Sequence, residues 1–486
     1  MNKNVELDTN MNDIEQPSFY FHDYETFGTD PAFDRPAQFA GIRTDINLNI
    51  IEEPLIIYCK QSADYLPNPH AVLITGITPQ ETQLKGVCEA EFTQKIHAEF
   101  SRPNTCILGY NNIRFDDEVT RNILYRNFYD PYAYSWKNGN SRWDLLDIVR
   151  ACYALRPDGI HWPLNEQGYA SFRLEHLTQA NHISHQNAHD AMSDVYATIE
   201  MAKLIKQQQP KLFDYFFMLR NKKNVADLID IVKMTPLVHI SGMLGSHRGN
   251  ITLIVPIAWH PTQSNVVVVC DLAGDINVLL SLTAEQIKQK LYTKSENLAD
   301  DESRIPLKLI HMNKCPIIAP AKTLSADNAK RLSLDLENCH QNLVLIKENQ
   351  ISIQEKIQTI FSEQIAYQAS HDVDGQIYQG FFDQNDKSIC DLIRQTAPEH
   401  LATLSIDPHD SRLKTLFFRY KARNYPETLN DREKIQWRDV CRDKLSHEVV
   451  NHYLVELEQL ALVHQHQPNK LALLKDLYHY CQYLVN

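Results

Sequence analysis

Apolar residues over the first hundred positions recur in the short runs that build strands. Residues 18–25 (SFYFHDYE) form an aromatic-rich run, and QFAGIRTD and NIIEEPLIIYCK follow as strand-like segments separated by polar turns. The pattern predicts a mixed or antiparallel sheet. From about residue 91 the period turns helical in EFTQKIHAEF, returns to a buried strand in TCILGYNN, and is helical again in FDDEVTRNILYRNF. Strands alternating with helices predict an α/β domain. Its last element is DAMSDVYATIEMAKLIKQQQ, where Met192, Val195, Ile199 and Ala202 recur at helical spacing and Pro210 marks the end.

The pattern then changes twice. Residues 236–320 are rich in strand-like runs such as ITLIVPIAW and NVVVVCDL, broken by GMLGSHRGN and the acidic ENLADDES, which predicts a small β-rich domain. Beyond about 365 long helical periods take over, in REKIQWRDVCRDKL, HEVVNHYLVELEQLALV and KLALLKDLYHYCQYLV. The expected organisation is a disordered tail over 1–17, an α/β domain over 18–208, a β-rich domain over 209–364 and a helical domain over 365–486. No fixed-period repeat and no Ser/Gly-rich linker separates them, so the three domains are expected to pack together.

Composition narrows the class. The chain has 486 residues, 43% hydrophobic and 22% charged, with 14 Gly and 22 Pro, which excludes a disordered, collagenous or low-complexity protein. A net charge of −13 opposes indiscriminate binding to polyanions, so any nucleic-acid contact has to be local. The ten cysteines are scattered, with no CxxC pair, and the polar N-terminus does not resemble a signal peptide. The expectation is a cytoplasmic, monomeric protein without a membrane segment.

Against that background the carboxylates stand out. In FHDYETFGTD, Asp23 and Glu25 are two apart at a strand end, and residues i and i+2 share a face. Two such anions can be solvated surface groups, but the aromatic flanks Phe19, Phe21 and Tyr24 make desolvation costly without a cation. Hard oxygen donors in this arrangement suit Mg²⁺ or Mn²⁺. In ILGYNNIRFDDEVTRN, Asn111, Asn112 and Asp116 follow a buried strand and open a helix, where Asp117 and Glu118 complement the helix dipole. In NAHDAMSDVYATIE, His189 precedes Asp194 by five residues, which on one helix would turn them about 140° apart. His189 must therefore precede the regular helix to share a site with Asp194, while Asp190 fits an N-terminal cap.

Residues 121–156 invert the chain's acidic balance. They hold six basic residues (Arg121, Arg126, Lys137, Arg142, Arg150 and Arg156), three acids and eight aromatics. Cations along phosphates and aromatic faces under unstacked bases make a sequence-tolerant single-strand site. About half of the aromatics are expected in the core, with Tyr132 and Trp136 exposed. The stretch 412–425 (RLKTLFFRYKARNY) has five basic residues and no acid, and either lines a channel or forms a solvated basic face.

In order and spacing, Asp23, Glu25, Asp116, His189 and Asp194 resemble the DEDDh exonuclease superfamily, which has a ribonuclease H-like fold. FHDYETFGTDPAFDRPAQFAGIRTD, LITGITPQE, CILGYNNIRFDDEVTRN, SRWDLLDIVRACYALRP and SFRLEHLTQAN are similar, more narrowly, to the bacterial exodeoxyribonuclease I family. PLVHISGMLGSHRGN and KLIHMNKCP resemble that family's SH3-like domain, and FFRYKARNYPETL its helical C-terminal domain.

The resemblance implies a processive 3′-to-5′ exonuclease that degrades single-stranded DNA to 5′-mononucleotides in repair and recombination. It implies two Mg²⁺ ions, replaceable by Mn²⁺, on Asp23, Glu25 and Asp194, with Asp116 at the second metal and His189 as general base. The substrate strand would meet Glu25, His189, Arg173, Arg121, Arg150, Tyr132 and Trp136. The acidic tail of single-stranded DNA-binding protein (SSB) would be a partner, with Arg156 a contact. The alternatives are proofreading, RNA 3′-end trimming, or a non-catalytic single-strand-binding scaffold.

Overall fold

The computed structural model describes residues 16–185, 190–291, 293, 304–362 and 370–485. Residues 1–15 of the expected tail lie outside them. A first sheet has the order β3-β2-β1-β4-β5, built from β1 (Ser18–Thr26), β2 (Pro36–Asp45), β3 (Leu55–Tyr58), β4 (Thr105–Gly109) and β5 (Ser141–Asp144). It is mixed, because β1 runs antiparallel to β2 and parallel to β4. The middle strands β1, β2 and β4 are buried almost throughout, so they lack clean alternation and bury polar residues such as His22, Gln38, Arg43 and Thr44 beside the apolar ones.

A second sheet has the order β10-β6-β7-β8-β9, from β6 (Leu237–Ile240), β7 (Ile251–Trp259), β8 (Val266–Asp271), β9 (Leu307–His311) and β10 (Ile317–Pro320). Its paired strands are antiparallel. Pro256 sits inside β7 beside the register shift between Pro256 and Ala258, where a residue without an N–H is tolerated.

The helices used below are α1 (Glu89–Phe100), α2 (Asp116–Arg126), α3 (Leu145–Leu155), α4 (Leu174–Ala180), α5 (Ala191–Gln208), α6 (Pro210–Met218), α7 (Gln384–Gln395), α8 (Arg412–Asn424), α9 (Asp431–Lys444), α10 (His447–Val463) and α11 (Pro468–Val485). The backbone forms two compact units. One comprises 1–108, 117–142 and 372–486, and the other 109–116 and 143–371.

In the first unit the C-terminal helices share cores with the early chain. Ala90, Tyr125 and Phe128 pack with Leu413, Leu416 and Tyr420, and Phe27, Ala37 and Val72 pack with Tyr453, Leu457 and Leu477. In the second, α5 packs against α3, α4 and α6, and α3 lies against β6 and β10.

In the basic stretch 412–425 four of the five cations are drawn into ion pairs, while Lys414 stays exposed to solvent. Buried Arg423 bridges Asp64 (2.7 Å) and Asp374 (2.6 Å), Arg419 pairs with Asp372, and Lys421 pairs with Glu433 (2.5 Å). Arg412 is held by Asp410 (2.7 Å) and by the carbonyl of Gln376 (2.7 Å). The acids that neutralise them all lie outside the stretch, so the run by itself gives no sign of the pairing.

All ten cysteines are free, and no helix among the described residues is long and apolar enough to cross a membrane.

Candidate active site

The parallel ladder between β1 and β4 runs from Ser18↔Thr105 to Phe21↔Leu108 and stops, whereas the antiparallel ladder with β2 continues through Asp23↔Ala40 and Glu25↔Gln38. Asp23 and Glu25 therefore stand beyond the carboxyl end of β4, where open α/β sheets leave a crevice. The intervening residues are spent on packing. Tyr24 donates to or accepts from Thr120 Oγ1 (3.0 Å) and meets Phe39 edge-on at 4.9 Å, while His22 stacks on Phe39 at 6.0 Å. Burial pushes the His22 imidazole down to about 4, so it is neutral at pH 7.

Asp194 enters from the first turn of α5. Asp190 is that helix's N-cap, accepting from the Ser193 amide at 3.2 Å, which is the role its position suggested. One carboxylate oxygen each from Asp23, Glu25 and Asp194 lies within 4.8 Å of the others, and the three side chains are buried or half-buried. Three anions at that spacing repel strongly in a partly desolvated place, and an all-oxygen donor set fits a hard divalent cation.

Asp116 stands outside this 4.8 Å group. It is 5% exposed and begins α2. The loop that presents it is tied down by a single carboxylate at the end of β5. Asp144 Oδ1 accepts from the amides of Asn111 (2.9 Å) and Leu146 (3.0 Å), and Oδ2 from that of Ile113 (3.2 Å). Asn111 has a left-handed φ of 69°, and the Asn112 side chain accepts from the Gly109 amide at 3.0 Å. Burial, and then neighbouring Asp147, push the Asp144 carboxyl up to about 7 against those three donors. Asp117 and Glu118 have structural partners, Asp117 in a buried pair with Arg142 and Glu118 with Arg121 and Tyr378.

His189 lies outside the described residues. The histidine that touches Asp194 within them is His185, whose Nε2 is 2.5 Å from Asp194 Oδ1.

The expected substrate residues fall into two groups. Trp136 is 64% exposed, Arg156 and Arg173 are exposed, and Tyr132 is half-buried. Arg121 is 7% exposed, pairs with Glu118 and lies 5.5 Å over the Tyr132 ring, and Arg150 pairs with Asp147 at 2.6 Å. Of the eight aromatics over 121–156, Tyr125, Phe128, Tyr134 and Trp143 are core.

The sequence reading missed Tyr378 and Phe381. Phe381 is 86% exposed and meets Tyr132 edge-on at 6.0 Å, and Tyr378 donates to Glu118. With Tyr132, Trp136, Phe382, Lys137 and Arg394, Phe381 lines a cleft of about 490 Å³. The aromatic GQIYQGFF run was the available signal. Its place beside Tyr132, some 250 residues away, was not readable. A separate pocket of about 380 Å³ holds Arg156 and Lys211 over Leu155, Leu212, Tyr215 and Phe216.

Comparisons with known proteins match this layout. Family models for an exonuclease (RNase T type), an exonuclease I SH3-like domain and an exonuclease I C-terminal domain cover residues 20–202, 220–363 and 371–484. Exodeoxyribonuclease I of Escherichia coli K12 is 53% identical over 98% of this chain and all of its own. A crystal structure of the zinc-bound E. coli exonuclease I complex with single-stranded DNA superposes with a TM-score of 0.94, at 52% identity over 97% of this chain and all of that one. A structure of SSB and exonuclease I with the inhibitor CFAM gives a TM-score of 0.91 at 51% identity, over 97% of this chain and all of that one. With its acids at the carboxyl end of β1, an exonuclease domain followed by an SH3-like and a helical domain, and this full-length identity, the chain belongs to the exodeoxyribonuclease I family.

Proposed function

We propose that this protein is a divalent-metal-dependent, processive 3′-to-5′ exonuclease that degrades single-stranded DNA to 5′-mononucleotides, with Mg²⁺ as the physiological ion, in cytoplasmic DNA repair and recombination. The observation that carries the reading is the convergence of Asp23, Glu25 and Asp194 within 4.8 Å. These three would hold two ions, with Asp116 completing the second site. Bound there, the ions supply charge neutralisation for the attacking and leaving oxygens of phosphodiester hydrolysis.

The chain's own groups do the rest. His189 takes the proton of the attacking water, a task suited to a side chain with an ordinary pKa near 6.5. Glu25, Arg173 and His189 face the terminal phosphodiester. Upstream nucleotides stack on Trp136, Tyr132, Phe381 and Tyr378, with Lys137 and Arg394 near the phosphates, while Arg121 and Arg150 hold neighbouring side chains in place. Aromatic stacking without base-edge readout makes the grip sequence-tolerant. The Arg156 pocket, with two cations over an apolar floor, suits the acidic, partly apolar tail of SSB, and the protein acts as a monomer.

Digestion of 3′- and 5′-labelled single-stranded and duplex DNA, with Mg²⁺ or EDTA, tests the reading. Immediate release of 3′ label as mononucleotide from single strands, abolished by EDTA and by Asp194→Ala, is the expected result. Strand binding with no release in Mg²⁺ would identify a scaffold, and preference for RNA would identify an end-trimming enzyme.

A further inference from the structure

We propose that His185 is a positioning residue for the metal site, holding one oxygen of Asp194 so that the other is presented to the ions. The inference rests on the reading of Asp194 as a metal ligand. His185 is 4% exposed at its side chain, although it sits in a polar loop between α4 and α5. Both ring nitrogens are used. Nε2 lies 2.5 Å from Asp194 Oδ1, and Nδ1 lies 3.1 Å from Thr178 Oγ1.

A carboxylate only accepts, so Nε2 carries the proton of the first bond; Nδ1 of that tautomer accepts, and the single proton of the Thr178 hydroxyl goes either to it or to an α4 carbonyl. Thr178 is itself buried on α4, with its Oγ1 3.0 Å from the Leu174 carbonyl and 3.1 Å from that of Glu175. Thr178 and Asp194 thus hold the His185 ring between them, setting it between α4 and the Asp194 carboxylate. The backbone of Asp194 is fixed independently, its amide donating to the Asp190 carbonyl (3.1 Å) and its own carbonyl accepting from Thr198 Oγ1 (2.8 Å).

A mere loop latch would be served by any buried acceptor. The acceptor here is one of the three clustered acids. Outer partners of this kind orient a ligating group, and losing one lowers metal affinity by about 10- to 100-fold.

The test is direct Mn²⁺ binding to DNA-free protein, read by electron paramagnetic resonance of free Mn²⁺ and by calorimetry. His185→Ala should weaken binding by about 10- to 100-fold, His185→Gln should recover most of it because its amide can donate to the same oxygen, and Thr178→Val should weaken it less than His185→Ala. Circular dichroism verifies folding, and if His185→Ala does not fold, the Gln and Val variants decide the matter. Wild-type affinity in a folded His185→Ala or Thr178→Val protein overturns the inference, as does a loss that Gln does not recover. Asp194→Asn is the control: if it too binds Mn²⁺ normally, the metal-ligand reading itself fails, whereas loss in Asp194→Asn alone defeats only the role of His185.

Discussion

Asp23 and Glu25 share a face because a strand has period two, and they stand clear of the parallel ladder because β4 ends before them. Removing either Asp23 or Asp194 as Ala should abolish turnover while single-strand binding, measured by filter retention or fluorescence anisotropy, survives, since a repelling anion near phosphate is lost. His189→Ala should slow hydrolysis with Mn²⁺ affinity kept, and equal loss of both would contradict its role as base. Trp136→Ala should weaken strand binding by about 1–3 kcal/mol, the range for one stacked base; an unchanged Kd would remove it from the path. These acids were legible in the sequence because strand spacing and helix-start position fix where such side chains point. His185 was not, because His182, His185 and His189 stand close together in one polar stretch of the sequence, and nothing local marks His185 as a partner of Asp194. Asp144 was equally silent, since an acid before a helix reads as a cap and its second task lies on the loop of Asn111 and Ile113.

At the scale of elements, α8 shows how a basic run misleads when its partners are distant. Arg423, Asp64 and Asp374 are a buried network, and truncating one member leaves an uncompensated charge that typically costs about 3–5 kcal/mol. Asp64→Ala or Arg423→Ala should therefore lower the urea midpoint sharply, and a midpoint unchanged from wild type would contradict the pairing. Burial opposes the charge of Glu89, but Arg126 and then Arg35 prevail and hold its carboxyl down from 4.5 to about 2. Because the folded value is the lower one, Glu89 contributes stability that is complete above about 4.5 and is lost as pH falls towards about 2. Urea midpoints taken between pH 5 and 2 should fall less steeply in Glu89→Gln than in wild type. The strands and the long helices were legible from their periods. The sharing of cores between α8, α10, α11 and the early chain was not, because apolar period reports that a face is buried and not what covers it.

For the molecule as a whole, a net charge of −13 is compatible with the proposed local site for a polyanion, since Lys137 and Arg394 line one cleft together with aromatic faces. Phe381→Ala should shorten processive runs and weaken binding of long oligonucleotides more than of short ones, read on 5′-labelled DNA under trap conditions; equal effects at all lengths would place Phe381 elsewhere. The order of exonuclease, SH3-like and helical domains was readable from the change in period and from motif likeness. The clustering of the acids depends on tertiary packing, and only the structure displays it. The most direct measurement is an anomalous difference map from crystals of this protein soaked in Mn²⁺. Peaks coordinated by Asp23, Glu25 and Asp194 are expected, and a map with no peak among those three carboxylates would overturn the metal-site reading.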